Sequence, residues 1–223
     1  MVQVEICCNS IASVRAALAG GASRVELCRD LECGGLTPTD EDIEACVDMG
    51  LRTHVLVRPR PGDFCYNTDE VTEIMHTIDR CRQLGAHAVV LGFLTCDGRV
   101  DAELTRQAVR AANGMEVTFH RAFDEARQDP LEALRIIAEC GCHRLLTSGQ
   151  RATALEGTDV IRTLVGTTSV KILAGSGVTP VTVREIISRT GVGEVHGSCK
   201  MTLPDGTIQT DADQVRQLMQ VCS

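Results

Sequence analysis

Ionisable side chains recur near the C-terminal ends of predicted β-strands, where they could carry acid–base chemistry. Along each strand they alternate with apolar residues, so the two sets face opposite sides of the sheet. Packing alone does not explain carboxylates, imidazoles and a guanidinium in one such place, whereas an enzyme uses them as acids, bases and anion-holding groups. The candidate catalytic residues are Glu5, Glu26, Arg58, His120 and His196.

Two glycine-containing loops are candidates for binding phosphate or carboxylate: Thr147-Ser148-Gly149 and Gly175-Ser176-Gly177. Glycine lets backbone amides approach an anion, and the following helix adds the positive end of its dipole. Each loop could equally be a tight turn, and the Arg-rich segment 58–66 could be a surface turn or a dimer contact. The predicted anion-binding residues are Arg60, Ser148, Gly149, Gly175, Ser176, Gly177 and Ser198.

The thiols offer a soft-metal site, because thiolates favour Cu(I). Cys7 and Cys28 could meet His120 and His196 in a mixed sulfur–nitrogen site, although their spacing does not require it. The competing interpretation is that each thiol is an inert core or surface residue. With twelve cysteines but no small secreted framework, we expect most thiols to be reduced.

A recurring glycine divides the chain into strand–helix units. It precedes an apolar strand at intervals of 25 to 35 residues, close to the roughly 30 residues of one βα unit. With a first strand at 2–6, the pattern predicts eight strands alternating with helices and a closing helix at 211–221. This favours an α/β fold, a (β/α)8 TIM barrel with a parallel closed sheet and outer helices, as a single domain over residues 1–223. The main alternative is a doubly wound sheet, but no Gly-x-Gly-x-x-Gly fingerprint of that fold follows the first strand.

Charge and hydropathy exclude several classes of partner. The net charge of −8 argues against nucleic acid, and no apolar run approaches the roughly 20 residues of a membrane span. The first residues already read as a strand, so we expect no signal peptide and a cytoplasmic location.

Low in the barrel, we expect a structural ion-pair layer of Arg24, Arg144, Lys171, Glu116 and Glu194.

Several ungapped motifs resemble the CutC copper homeostasis family, from residue 5 to about 198. They are Val25-Glu26-Leu27-Cys28, Gly34-Gly35-Leu36-Thr37-Pro38, Arg58-Pro59-Arg60, Gly62-Asp63-Phe64-Cys65-Tyr66, Thr118-Phe119-His120-Arg121-Ala122-Phe123-Asp124, Leu146-Thr147-Ser148-Gly149-Gln150 and Glu194-Val195-His196. The resemblance implies a cytosolic barrel, often a homodimer, that binds Cu(I) through cysteines, for which Cys7 and Cys28 are the candidates. Members usually carry a serine where this chain has Gly197, so one hydroxyl is missing there.

Three functions follow from these patterns. The first is copper handling with Cu(I) as the ligand, and the second is a lyase- or isomerase-type enzyme that acts on a small phosphorylated or carboxylated metabolite. The third is an interaction protein without chemistry. Copper or a small anion would be the ligand in the first two, and the residues alone leave open whether the protein is an enzyme.

Overall fold

Eight parallel strands form a closed barrel, as the glycine spacing predicts. The computed structural model describes residues 2–223. Neighbouring strands pair in chain order, and β8 pairs with β1 to close the sheet. The strands are β1 (Gln3–Cys8), β2 (Arg24–Leu27), β3 (Arg52–Leu56), β4 (Ala88–Leu91), β5 (Glu116–Phe119), β6 (Arg144–Thr147), β7 (Lys171–Gly175) and β8 (Glu194–Gly197).

Helices connect the strands and surround the barrel. Most begin at a side-chain cap of the kind that satisfies free backbone amides, such as Ser10, Asp101 and Asn67, the last in a capping box with Glu70. The helices are α1 (Ile11–Ala19), α2 (Asp40–Asp48), α3 (Thr68–Gln83), α4 (Ala102–Ala112), α5 (Ala122–Glu125), α6 (Pro130–Glu139), α7 (Thr158–Leu164), α8 (Val183–Thr190) and α9 (Ala212–Cys222). Across residues 2–223, none of them is long and apolar enough to cross a bilayer.

Besides a single 3-10 turn at Leu31–Cys33, the sequence pattern misses two elements between the main units. The four-residue helix α5 follows β5, and an antiparallel hairpin of β9 (Lys200–Thr202) and β10 (Ile208–Thr210) follows β8. Both are too short to display a hydrophobic period. The structure also starts α7 and α8 four residues later than the pattern does, because the preceding residues form turns over the barrel mouth.

Alternate strand residues pack outward against the helices and form the hydrophobic core. Val25, Val55, Val117, Leu145 and Val195 are fully buried in this layer. The intervening polar residues therefore point into the barrel, as strand alternation requires. This arrangement directs the ionisable side chains into one shared interior.

The predicted ion-pair layer is confirmed near the N-terminal ends of the strands. Arg144 bridges Glu116 at 2.7 Å and Glu194 at 2.8 Å, and Arg24 reaches Glu194 at 2.7 Å. Lys171 is a weaker member, since its amine lies 3.9 Å from Glu194 and its side chain is 60% exposed. Each buried guanidinium group in this layer is therefore paired with a carboxylate of opposite charge.

Glu116 predicts a pH dependence of stability. Partial burial raises its pKa, but hydrogen bonds from Arg144 and Arg52 outweigh this effect and lower the pKa from 4.5 to about 2. Because the folded pKa lies below the unfolded one, the stabilisation is present above pH 4.5 and is lost as pH falls towards 2. We expect Glu116→Gln to cost about 2 kcal/mol at pH 7 and about 1 kcal/mol less at pH 3.5.

Urea unfolding at both pH values measures this difference. The exposed glutamate Glu103, which lies 3.7 Å from Arg106, provides the control, and Glu103→Gln should change stability little at either pH. A Glu116→Gln penalty of the same size at pH 7 and pH 3.5 would contradict the assignment.

Candidate functional site

A cavity of about 540 Å³ opens at the C-terminal ends of the strands, where barrel active sites are built. Most of the candidate residues line it, although they come from strands or loops far apart in the chain. Those lining the cavity are Cys7, Glu26, Arg58, His120, Ser176, Gly177, His196 and Ser198. A second cavity of about 520 Å³ lies at the opposite end of the barrel and contains none of the candidate residues.

Glu5 is fully buried beneath the cavity and binds three cationic or imidazole groups. Arg24 Nε lies 2.9 Å from its carboxylate, His54 Nδ1 lies 2.7 Å away and His196 Nδ1 lies 2.9 Å away. Burial raises the pKa of Glu5, but hydrogen bonds from His196 and His54 and the charge of Arg24 hold it well below its usual value. Glu5 is therefore an ionised carboxylate that holds His196 in place from behind the cavity wall.

His196 presents one ring nitrogen to the cavity because the other is bound to Glu5. Its Nδ1 contacts the Glu5 carboxylate, which leaves Nε2 for Cys7 and Glu26, whose ligand atoms lie within 4.8 Å of the ring nitrogen. Burial lowers the pKa of His196, but Glu26, Cys7 and Glu5 outweigh burial and raise the pKa well above its usual value. Carboxylate–histidine pairs of this kind orient the imidazole at many protein metal sites.

Cys7 lines the cavity, and the buried Cys28 lies directly beside it. Their sulfur atoms are 3.8 Å apart, and the Cys7 thiol donates to Glu26 Oε1 at 3.8 Å. The hydrogen bond with Cys28, together with burial, holds the pKa of Cys7 well above its usual value, so the residue is a thiol. Two thiolates on one ion, each about 2.3 Å from it, lie at most about 4.6 Å apart, and the observed sulfur separation fits this limit.

One cluster of potential metal ligands stands out in residues 2–223. A sulfur of Cys7, a carboxylate oxygen of Glu26 and a ring nitrogen of His196 all lie within 4.8 Å of one another. The register of the barrel creates it, because Cys7 pairs with Glu26 between β1 and β2 while Glu5 pairs with His196 between β1 and β8. Neither His120 nor the predicted ligand Cys28 is a member of this cluster.

His120 lies elsewhere on the cavity wall, beside Phe64. The two ring centres are 4.8 Å apart, and His120 Nδ1 accepts a hydrogen bond from the Ala122 amide at 3.2 Å. Burial, reinforced by the charge of Arg58, lowers the pKa of His120 to about 3. This imidazole is consequently neutral at physiological pH, with its proton on Nε2.

The two arginines of segment 58–66 have different environments. Arg58 is buried and donates to the carbonyl oxygens of Cys33, Gly35 and Gly62 at 2.9 to 3.1 Å. Arg60 instead pairs with Glu70 and Asp63 and does not line the cavity. Arg58 thus fixes two loops at the mouth, while Arg60 fixes the outer side of one loop.

The loop after β6 already holds an anion, which is the carboxylate of Asp124. This carboxylate accepts from the Ser148 amide at 3.0 Å, the Gln150 amide at 3.1 Å and the Thr147 hydroxyl at 2.5 Å, and it also accepts from Arg121. The predicted anion-binding residues Ser148 and Gly149 do not line the cavity. Sequence reasoning missed this role of Asp124, although the residue closes one of the family-like motifs.

The loop after β7 remains open to the cavity. Ser176 and Gly177 have left-handed backbone conformations, with φ of 77° and 70°. Gly175 does not line the cavity, and a side chain there would meet Leu146 at 2.5 Å. The amides of Gly177 and Val178 make no hydrogen bond to any protein atom in residues 2–223. These amides are free to bind a ligand.

A disulfide joins two loops beside the mouth. It links Cys65, in the loop after β3, to Cys96, in the loop after β4, while the other ten cysteines are free thiols. Spacing does not predict this bridge, because the partners belong to different strand–helix units. The bridged loop also carries Phe64, which packs against His120 and Arg58.

Comparison with known proteins identifies the family. The model of the CutC family matches residues 2–201. A CutC family protein of Bacteroides thetaiotaomicron is 45% identical over 205 residues, covering 90% of this chain and 82% of the relative. Another, from Photobacterium profundum, is 39% identical over 211 residues, covering 93% of this chain and 86% of the relative.

Solved structures agree with these relatives. CutC of Streptococcus agalactiae, described as a copper homeostasis protein, superposes with a TM-score of 0.84 at 31% identity, covering 89% of this chain and 99% of that one. The 3-hexulose-6-phosphate synthase of Salmonella typhimurium shares only the fold, with a TM-score of 0.68 at 16% identity, covering 99% and 98% of the two chains. The ungapped motifs, the barrel and the family match over nearly its whole length place this chain in the CutC family.

Proposed function

We propose that the protein serves copper homeostasis by binding Cu(I) between Cys7 and Cys28, beside His196. The observation that carries the proposal is the pair of buried sulfur atoms 3.8 Å apart, with a ring nitrogen of His196 within 4.8 Å of the Cys7 sulfur. Thiolate and imidazole donors suit a soft monovalent copper ion. Membership of the CutC family and the similarity to a copper homeostasis protein support the same assignment.

The surroundings of the two thiols also suit Cu(I). Leu56 and Val90 pack against Cys7 and Cys28 in a small apolar cluster. Such a shell keeps water away from the sulfur atoms and disfavours hard cations that retain water ligands. Binding would displace the thiol protons, and the raised pKa of His196 means that its ring must also lose a proton before it can bind the ion, so affinity should rise with pH.

Competition titration of Cu(I) under anaerobic conditions tests the proposal. We expect one ion per chain in the wild type, and we expect Cys28→Ser to weaken binding by more than about a hundredfold, beyond the loss typical of an outer ligand partner. Cys8→Ser is the matched control, because Cys8 neighbours Cys7 on β1 but packs into the outer core. Unchanged affinity in Cys28→Ser, or an equal loss in Cys8→Ser, would remove the site.

Acid–base catalysis on a small metabolite is a second candidate function. The observation that favours it is Glu26, which lines the cavity and whose pKa burial raises from 4.5 to about 7. A group that titrates near the working pH can both give and accept a proton. Glu26 and His196 would be the acid–base pair, and Arg58 and His120 would bind substrate. Turnover of a metabolite that Glu26→Gln abolishes would establish this function.

The proposal extends to cellular location and assembly. The family resemblance implies a cytoplasmic homodimer, and copper in the cytoplasm is held as Cu(I) by soft ligands such as thiolates. Cell fractionation tests the location. Light scattering of the purified chain tests the dimer, and a monomer at micromolar concentration would contradict it.

A further inference from the structure

Arg58 is a buried cation that the protein does not neutralise. Its residue is 7% exposed and lines the cavity, yet the guanidinium forms no salt bridge with any carboxylate in residues 2–223. Its three hydrogen bonds go to backbone carbonyls, and Nε has no partner. A buried charge is costly unless an opposite charge or further hydrogen bonds compensate it, so this wall of the cavity suits an anion.

His120 adds a neutral donor to the same wall. It is 5% exposed, it lines the cavity with Arg58, and its Nε2 has no hydrogen-bond partner. Phe64 joins the two residues, because its ring lies 4.8 Å from the His120 ring and 5.1 Å from the Arg58 guanidinium carbon. A guanidinium beside a neutral N–H donor is suited to a carboxylate.

A second set of open donors lies across the barrel. Gly177 and Val178 line the cavity after β7, four strands away from Arg58 after β3, and their amides have no protein partner in residues 2–223. Ser198 lies nearby after β8, and barrels often hold phosphate between these last two strands. The β6 loop provides the contrast, since its donors are already filled by the carboxylate of Asp124.

The volume of the cavity also suits a small organic ligand. The cavity is about 540 Å³, whereas a water molecule occupies about 30 Å³ in the liquid. A metal ion at Cys7 and Cys28 would leave most of this space free. The remaining space is large enough for a small organic molecule.

We propose that the cavity binds a small organic anion with a carboxylate at one end and a phosphate at the other. The carboxylate lies against Arg58 and His120, and the phosphate accepts hydrogen bonds from the amides of Gly177 and Val178. The site is independent of copper, because none of these groups is a proposed Cu(I) ligand.

Calorimetric titration of the metal-free protein with phosphoglycerate, inorganic phosphate and acetate tests the proposal. We expect phosphoglycerate to bind at least about tenfold more tightly than either single-ended anion, because the second end binds intramolecularly. Arg58→Met should reduce phosphoglycerate affinity to the level of phosphate and leave phosphate binding unchanged, which also shows that the variant is folded. Arg60→Met is the matched control, since Arg60 belongs to the same loop but pairs with Glu70 outside the cavity.

A second variant removes a donor without releasing the loops that Arg58 holds. His120→Phe keeps the ring packing against Phe64 and should weaken phosphoglycerate severalfold while phosphate binding persists. Equal affinities for phosphoglycerate and phosphate in the wild type would overturn the proposal, as would equal losses in Arg58→Met and Arg60→Met. Since the protein carries no metal in these titrations, the outcome is separate from that of the copper experiment.

Discussion

Glu5→Gln is expected to lower the free energy of unfolding by about 3 to 5 kcal/mol at neutral pH, the range for breaking a buried ion pair. The Glu5 carboxylate is the shared partner of Arg24, His54 and His196, all within 2.9 Å. The Gln side chain has a single acceptor oxygen and cannot accept from all three groups. Its NH₂ group would also face N–H donors that now point at the carboxylate. The buried Arg24 charge would then depend on Glu194 alone.

Urea unfolding of paired variants measures this loss. Glu26→Gln is the matched control, because Glu26 is also a buried carboxylate on an adjacent strand but has only the Cys7 thiol as a side-chain hydrogen-bond donor within residues 2–223. Its substitution should cost well under half as much. Equal losses in the two variants would show that the three contacts of Glu5 contribute little.

The same variant has a spectroscopic signature. Glu5 helps to raise the pKa of His196 above its usual value, so removal of the carboxylate should move the His196 imidazole titration to lower pH. Nuclear magnetic resonance of the ring protons follows this directly. An unchanged His196 titration in folded Glu5→Gln protein would argue against Glu5 as the group that holds the imidazole.

Asp124→Ala is expected to cost about 3 kcal/mol, because it leaves several buried donors without an acceptor. The Asp124 carboxylate accepts from Thr147, the amides of Ser148 and Gln150, and Arg121. The vacated loop should then bind an anion from solution, so formate should restore part of the stability. The wild type should show no such response at this loop.

Asp129→Ala provides the comparison for this experiment. Asp129 also accepts from two backbone amides, but it does so as the exposed cap of α6, where the loss is typically about 1 kcal/mol. Thermal unfolding with and without formate separates the two cases. If formate stabilises both variants equally, the loop after β6 is not an anion cradle.

Much of the fold is predictable because its signals are local. A glycine past each helix end and alternation along each strand depend only on neighbouring residues. Both can therefore be recognised in the sequence without knowing which elements pack together. The short helix α5 and the hairpin of β9 and β10 were not predicted, since a few residues cannot display a period. Alternation along the strands also places Cys7, Glu26 and His196 on the inner face of the barrel.

The candidate site was predictable only as a set of inward side chains. Strand register decides which of them meet, because it pairs Cys7 with Glu26 and Glu5 with His196. Depth decides their roles, so Glu5 lies behind the wall and Glu26 lies in it. Register and depth depend on contacts between residues far apart in the chain, which spacing does not encode.

The sequence by itself determined the alternation of strands and helices, the inward polar face and the presence of soft and acidic donors at the barrel mouth. Only the tertiary structure decided that Asp124 fills one anion loop, that Arg60 pairs with Glu70 outside the cavity and that Arg58 has no carboxylate partner. The physical reason is that periodicity and capping depend on residues close together in the chain. Whether a charged side chain is paired depends instead on which opposite charges lie next to it once the barrel has closed.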